Sequence, residues 1–332
     1  MTAAALPLGW ARAAVIAAAR RRQRRRRLLL TAAVALAAVG AGTYLTLSPG
    51  ATRTVTRFHL TAPVAVAVAG RSVWVVQETS DSRAVLVRLD PATGRRAAMF
   101  PIGRAGPDFG AAVSAGGAVW ATAGDHVVRV DAAGRVARLS LPGEGSVIAL
   151  GFGSVWVGSI GQEGDTISRL DARTLAAQAR IPIAIQPVAL RAGLGSLWLS
   201  SSEGLWRIDV KTEHLVPASV IAPLPIGLAV SGWRLWIVER THDVLGVDAR
   251  GRVRARIPLP FAPGEIAAAG SRLWIADDCG CREGSLALVD ATTRRLVSVQ
   301  TIGETPVALA TDRSGVWVAT FGDGDVSHVR SG

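Results

Sequence analysis

The chain is short of the residues that most catalytic and metal chemistry uses. Among 332 residues there are two cysteines, five histidines and one tyrosine. Two cysteines exclude a disulfide scaffold. No HExxH stretch and no Gly-rich phosphate loop occurs, which removes the zincin and P-loop readings. No Ser-His-Asp set can be assembled from the spacing. Lysine is almost absent: Lys211 stands alone against 36 arginines, a bias of base composition rather than of function.

Acidic residues are missing from residues 1–27, where eight arginines lie (Arg12, Arg20 to Arg22 and Arg24 to Arg27). The net charge of +12 therefore divides into +8 there and +4 over the rest, where 29 basic residues face 25 acidic ones. A remainder so nearly balanced lacks the electrostatic footprint of a nucleic-acid binder, and no nucleic acid is expected as a partner.

One uncharged and strongly apolar run lies near the start of the chain. Residues 28–47, LLLTAAVALAAVGAGTYLTL, carry no charge. At ~1.5 Å per residue, a helix of this length matches the ~30 Å hydrocarbon core of a bilayer. A transmembrane helix is expected here. The flanking arginines would hold residues 1–27 in the cytoplasm and touch anionic head groups. Tyr44 falls where an interfacial aromatic belongs. A cleaved signal peptide is the rival, because Ala38-Val39-Gly40 and Gly40-Ala41-Gly42 are small-x-small sites. The charged lead is long for a signal peptide and the apolar run continues past those sites, which favours a retained anchor. Residues 48–52 then form a short linker, and residues 53–332 an extracytoplasmic domain at the cell membrane.

What is abundant is repetition. An apolar strand, a Gly-containing turn and a strand centred on tryptophan recur as PVAVAVAGRSVWVV, GAAVSAGGAVWAT, SVIALGFGSVWVGS, PVALRAGLGSLWLSS, PIGLAVSGWRLWIVE, GEIAAAGSRLWIAD and PVALATDRSGVWVAT. The marker tryptophans are Trp74, Trp120, Trp156, Trp198, Trp236, Trp274 and Trp317, spaced 36 to 46 residues apart. Such a period, with several short strands per unit, is a propeller signature. A third strand ending in Asp follows the first six (LVRLD, VVRVD, ISRLD, LWRID, VLGVD, LALVD), and a turn and fourth strand complete each unit. Each tryptophan is expected to fill the wedge between blades. Asp90, Asp131, Asp171, Asp209, Asp248 and Asp290 are expected to cap tight turns.

The last unit stops at Gly332 without a fourth strand. RTVTRFHL, residues 53–60, resembles RVRARIPL at residues 252–259 and can supply it, removing the open edge. The expected fold is all-β: a seven-bladed β-propeller closed by an N-terminal strand and preceded by one transmembrane helix.

The repeat unit PVAL…GSLWLS…L-x-R-I-D resembles the seven-bladed propellers that include virginiamycin B lyase, NHL-repeat and YVTN-repeat proteins, over roughly residues 53–330. The resemblance implies fold more than chemistry, since the group holds lyases, hydrolases and binding modules. The lyase is implied to use a histidine, a glutamate and magnesium. The nearest local likeness is LWIVERTHDVLGV, with Glu239 and His242 in one loop; that activity is not carried over to this chain.

Labelling the strands A to D, the B–C and D–A connections share one face and the A–B and C–D turns the other. The B–C loops gather carboxylates: Glu78, Asp125, Asp165, Glu203, Asp277, Asp278 and Asp323 are the candidate ligand-binding residues. The D–A connections are expected to add Asp108, Glu144, Glu265 and Glu304. Clustered carboxylates can hold Ca²⁺ or Mg²⁺. His126 and His242 border B–C loops and, with Glu239, are the candidate catalytic residues of a cation-dependent lyase or hydrolase. Cys279 and Cys281 lie in another B–C loop, as a disulfide, as free thiols or as metal ligands. The opposite face collects basic residues. Because the closing strand begins on that side, the basic face is expected toward the lipid and the acidic face outward. The expected function is a membrane-tethered module binding a ligand or protein at the acidic face, with the enzyme as the alternative.

Overall fold

The computed structural model describes residues 55–105, 111–218, 225–278 and 282–331. Residues 28–47, Cys279, Cys281 and Asp108 lie outside them. Among the described residues no helix is long and apolar enough to cross a membrane.

The strands form seven four-stranded antiparallel sheets. Six sheets are continuous in sequence, spanning residues 63–104, 112–140, 144–183, 189–217, 225–258 and 263–303; these are blades 1 to 6. Blade 7 takes strands A to C from residues 306–330 and its outer strand D from Val55–His59. That strand pairs antiparallel with Asp325–Arg330, from Val55 opposite Val329 to His59 opposite Asp325. The expected closing strand is present, over Val55–His59 of the described residues. Leu60 has already left it and donates its N–H to the Gly324 carbonyl at 2.6 Å.

The tryptophans explain how neighbouring sheets fit. All seven are at most 3% exposed. In a strand, successive side chains point to opposite faces. Each Trp therefore faces one neighbouring blade, while the apolar residues on either side of it face the other. Trp120 packs with Val155 and Val157 of the next blade. Trp156 packs with Leu197 and Leu199. Trp198 packs with Leu235 and Ile237, Trp236 with Leu273 and Ile275, and Trp274 with Val316 and Val318. Trp317 of blade 7 joins the cluster holding Val73 and Val75 of blade 1, which closes the circle.

Two further positions follow from the rings. The strand A residue opposite each Trp is Ala67, Val113, Ala149, Arg191, Ala229, Ala267 or Ala310, small in five of seven blades because the indole fills that space. On strand C, the arginine of the VRxD-type motif lies over the ring. Arg88, Arg129 and Arg169 stand 5.1–5.8 Å from the Trp74, Trp120 and Trp156 centroids, a cation–π arrangement. Blade 5 has Gly246 there, and a Cβ at that residue would meet the Trp236 ring at 2.9 Å.

The six motif aspartates are turn caps, as expected. Asp90 Oδ1 accepts the N–H groups of Ala92 and Thr93, and the other five accept two backbone donors in the same way. This donation holds all six carboxyls below the ordinary value.

Blade 7 is sealed by a stack. Phe58 of the closing strand lies 5.9 Å from the Trp317 ring, and His328 lies 4.3 Å away on strand C at 8° to it. The Phe58 ring also fills the space beside Gly94 of blade 1, where an added Cβ would fall 1.9 Å from it. One side chain thus locks the last blade to the first. Phe58→Ala is expected to lower stability by about 2–3 kcal/mol, below the range for a fully buried ring because Phe58 is partly exposed. Urea unfolding of the two proteins measures the difference. A loss below about 0.5 kcal/mol, the usual scatter of surface substitutions, would show that this ring does not lock the blades.

Candidate functional site

The seven A strands line a central cavity of about 490 Å³. Each A strand is a sheet edge, so its outward carbonyl and N–H groups meet the neighbouring blade or the cavity. Side chains bridge some of them. Ser114 Oγ donates to the Val68 carbonyl and Ser231 Oγ to the Gly270 carbonyl. Thr311 Oγ1 donates to the Ala268 carbonyl at 3.0 Å.

Two charged side chains line the cavity, Arg191 of blade 4 and Glu265 of blade 6. Arg191 occupies the position opposite a marker tryptophan, Trp198, that other blades give to Ala or Val. Its Nε donates to the Leu228 carbonyl of blade 5 at 3.0 Å. Burial pulls the guanidinium below its ordinary value, and the Glu265 charge opposes that shift. Glu265 lies within strand A (Pro263–Ala269), and Glu144 within Glu144–Gly151, rather than in the D–A loops expected for both. The sequence signal for Arg191 was a charge in the repeat position PVAxRAG, where the other copies are small.

The B–C face carries the expected carboxylates, but many are spent on holding the loops. Asp277 is 4% exposed and Oδ2 accepts the Ser285 N–H at 2.7 Å. Asp323 Oδ2 accepts the Glu304 N–H at 2.6 Å, and Asp278 pairs with Arg240 at 2.6 Å. Asp165 accepts the Gly161 N–H at 3.3 Å, and burial raises its carboxyl above the ordinary value. Glu78 ends its strand half-buried, and Glu203 is exposed at its turn. Asp125 is exposed and bonds His126. Among the described residues no group of three or more His, Cys, Asp or Glu side chains forms a metal-holding cluster. The two candidate histidines lie far apart in the ring: His126 begins strand C of blade 2, and His242 lies exposed in the B–C turn of blade 5, at φ 66°. They do not converge.

Glu239 is 1% exposed, so it cannot be a solvent-facing acid as its loop position suggested. Its Oε2 accepts the Thr241 hydroxyl at 3.0 Å, whereas Oε1 is buried without a hydrogen-bond partner. Burial raises this carboxyl above its ordinary value of 4.5, with Thr241 and Arg256 opposing. A raised acid makes the folded state hold the proton more tightly than the unfolded state. Its stabilising contribution is thus full below pH 4.5 and is lost as pH rises through the folded value. Glu239→Gln removes the buried negative charge while keeping the side chain's shape and is expected to raise stability at pH 7. Melting curves against pH should show this gain shrinking toward pH 4.5; a gain that does not change with pH would refute it.

One constellation escaped the sequence reading because it forms across strands. His126 Nδ1 lies 2.7 Å from Asp125 Oδ1, and His126 Nε2 lies 3.3 Å from Ser140 Oγ. His126 and Ser140 are register partners on strands C and D of blade 2. This has the order of an acyl-transfer triad without its surroundings. The Asp125 side chain is 67% exposed, and the Leu141 N–H beside Ser140 is committed to the Asp125 carbonyl at 2.7 Å. That N–H is therefore not available to an oxyanion. A fluorophosphonate probe is expected to leave Ser140 unlabelled in mass spectrometry. Labelling that disappears in His126→Ala would restore the hydrolase reading.

Charge divides the two faces less sharply than expected. The A–B and C–D face holds thirteen basic side chains, among them Arg173, Lys211, Arg234 and Arg250, but also Glu213, Asp312 and the six capping aspartates, a balance of +5. The closing strand begins on this face: Val55 lies opposite Val329, and Ser331 donates to the carbonyl of Ser314 in the A–B turn.

No protein-family pattern matches the chain, and no curated protein does. Solved structures share its ring. The RRP9 WD40 repeats align over 86% of this chain and 99% of their own, at TM-score 0.68 and 9% identity. U3-55K aligns over 86% and 100%, at 0.68 and 10%. The Neurospora crassa Pan2 WD40 domain aligns over 82% and 90%, at 0.62 and 11%. At such identities the likeness shows the seven-bladed fold alone. Two of these neighbours are described as WD40 repeats, and the resemblance read from the repeats holds for the seven-bladed ring.

Proposed function

We propose that this chain is a membrane-tethered binding or scaffolding propeller that presents its B–C face to a ligand or protein outside the cell membrane. The observation that carries this reading is the entry point of the closing strand. The chain enters on the A–B and C–D face, a few residues after the apolar run of residues 28–47. The opposite face, with Glu78, Asp125 and Glu203, then points away from the bilayer. A rigid ring carrying variable polar loops suits recognition, because the scaffold fixes loops at little entropic cost. Separated histidines and carboxylates committed to loop geometry support binding over a cation-dependent lyase or hydrolase.

Site-specific photo-crosslinking in intact cells tests it. A crosslinker replacing Glu203 or Asp125 is expected to give a discrete adduct, and one replacing Lys211 on the opposite face to give none of that size. Adducts absent from both B–C positions, or equal from both faces, would overturn the assignment of the outer face.

A further inference from the structure

We propose that three adjacent A–B turns, tipped by Phe152, Leu194 and Trp233, form a docking surface that seats the propeller on an anionic lipid bilayer. The turns belong to blades 3, 4 and 5, consecutive in the ring and open to the same face. Trp233 is 90% exposed, against at most 3% for the seven marker tryptophans. Phe152 is 42% exposed, and Leu194 is partly covered by the blade 4–5 cluster. Scattered apolar residues on a surface need no explanation, but three at the tips of neighbouring turns form one sector.

Backbone geometry sets two of them apart. Phe152 and Leu194 have φ of 55° and 53°, the left-handed region where a bulky side chain is disfavoured. The equivalent turn in blade 2 uses Gly116 and Gly117, and those in blades 1 and 6 begin with Gly70 and Gly270. Glycine adopts this conformation freely, so core packing does not call for a phenylalanine at the tip of an exposed turn.

Charge and chain reach identify the occupant. Arg173, Lys211, Arg234 and Arg250 rim the same sector on the turns of blades 3 to 5, where Asp171, Asp209 and Asp248 are engaged as turn caps and Glu213 pairs with Arg169. Tryptophan beside basic side chains is the composition of a membrane–water interface, where the ring lies at head-group level and the cations meet anionic lipid. The closing strand starts on this face, and only residues 48–54 separate it from the apolar run. Seven residues span at most about 25 Å, too little to admit a folded partner between this face and the bilayer. This proximity argument rests on the tethered reading above.

The test uses the full chain in liposomes containing bromine-labelled lipids, which quench indole fluorescence on contact. The wild type is expected to be quenched at least two-fold more than Trp233→Ala in phosphatidylglycerol vesicles, with the gap narrowing in pure phosphatidylcholine. Trp233 is at an exposed turn, so matching circular dichroism melts will confirm an intact ring. Phe152→Ser with Leu194→Asn, which spares every tryptophan, is expected to reduce quenching of Trp233. Equal quenching of wild type and Trp233→Ala overturns the docking surface and leaves a protein as the occupant of this sector. Alkaline carbonate extraction reports the anchor separately. Retention without quenching sinks the docking surface alone, and extraction with quenching of Trp233 sinks the tether alone.

Discussion

Everything in this molecule depends on one packing step repeated seven times: an indole from one blade received by the two apolar residues that flank the next blade's indole. The alternation of a β-strand makes this possible. With Trp pointing one way, its neighbours must point the other, so each central strand carries both a ridge and a socket. The step must also close. Trp317 reaches Val73 and Val75 only if blade 7 is a complete sheet, and completeness depends on Val55–His59. The circle therefore ties Val55 to Val329, and loss of the closing strand exposes a sheet edge.

That seam also fixes the face on which the chain enters the ring. An N-terminal closing strand has two ends, and its first residue must lie on the A–B and C–D side because it runs antiparallel to strand C. The same geometric fact that removes the last open edge decides which face a tether would hold close. It also joins two features with no relation in sequence, the short stretch before Val55 and the exposed Trp233 of blade 5. Chemistry is distributed accordingly. The channel holds Arg191 and Glu265 among mostly apolar residues, and carboxylates of the B–C face such as Asp277 and Asp323 work first as loop braces.

His328 shows how the repeat was adapted at the seam. It occupies the place over the Trp317 ring that arginine takes in blades 1 to 3, and it is 7% exposed. Burial lowers this imidazole below its ordinary value of 6.5, with Asp312 opposing. An uncharged ring can sit flat between strands where a guanidinium would need a solvated edge. Blade 7, which must accept a strand from the other end of the chain, thus sets an imidazole where blades 1 to 3 set a cation.

The sequence by itself determined the ring: the period of the tryptophans, the Asp at each third strand, the missing fourth strand of the last unit and its replacement at the start. These are patterns within one strand or one turn, where side-chain alternation and capping are local physics. It also placed most carboxylates on the correct face, because strand order alone sorts the loops. Only the tertiary structure decided what those residues do. Burial of Glu239, the bracing roles of Asp277 and Asp323, the Asp125–His126–Ser140 alignment and the placing of Arg191 and Glu265 around one cavity depend on how strands distant in the chain assemble. Exposure is likewise a property of the assembled ring. Trp233 and Trp236 are three residues apart in one sequence motif, and only the curvature of a turn leaves the first in solvent while the next blade buries the second.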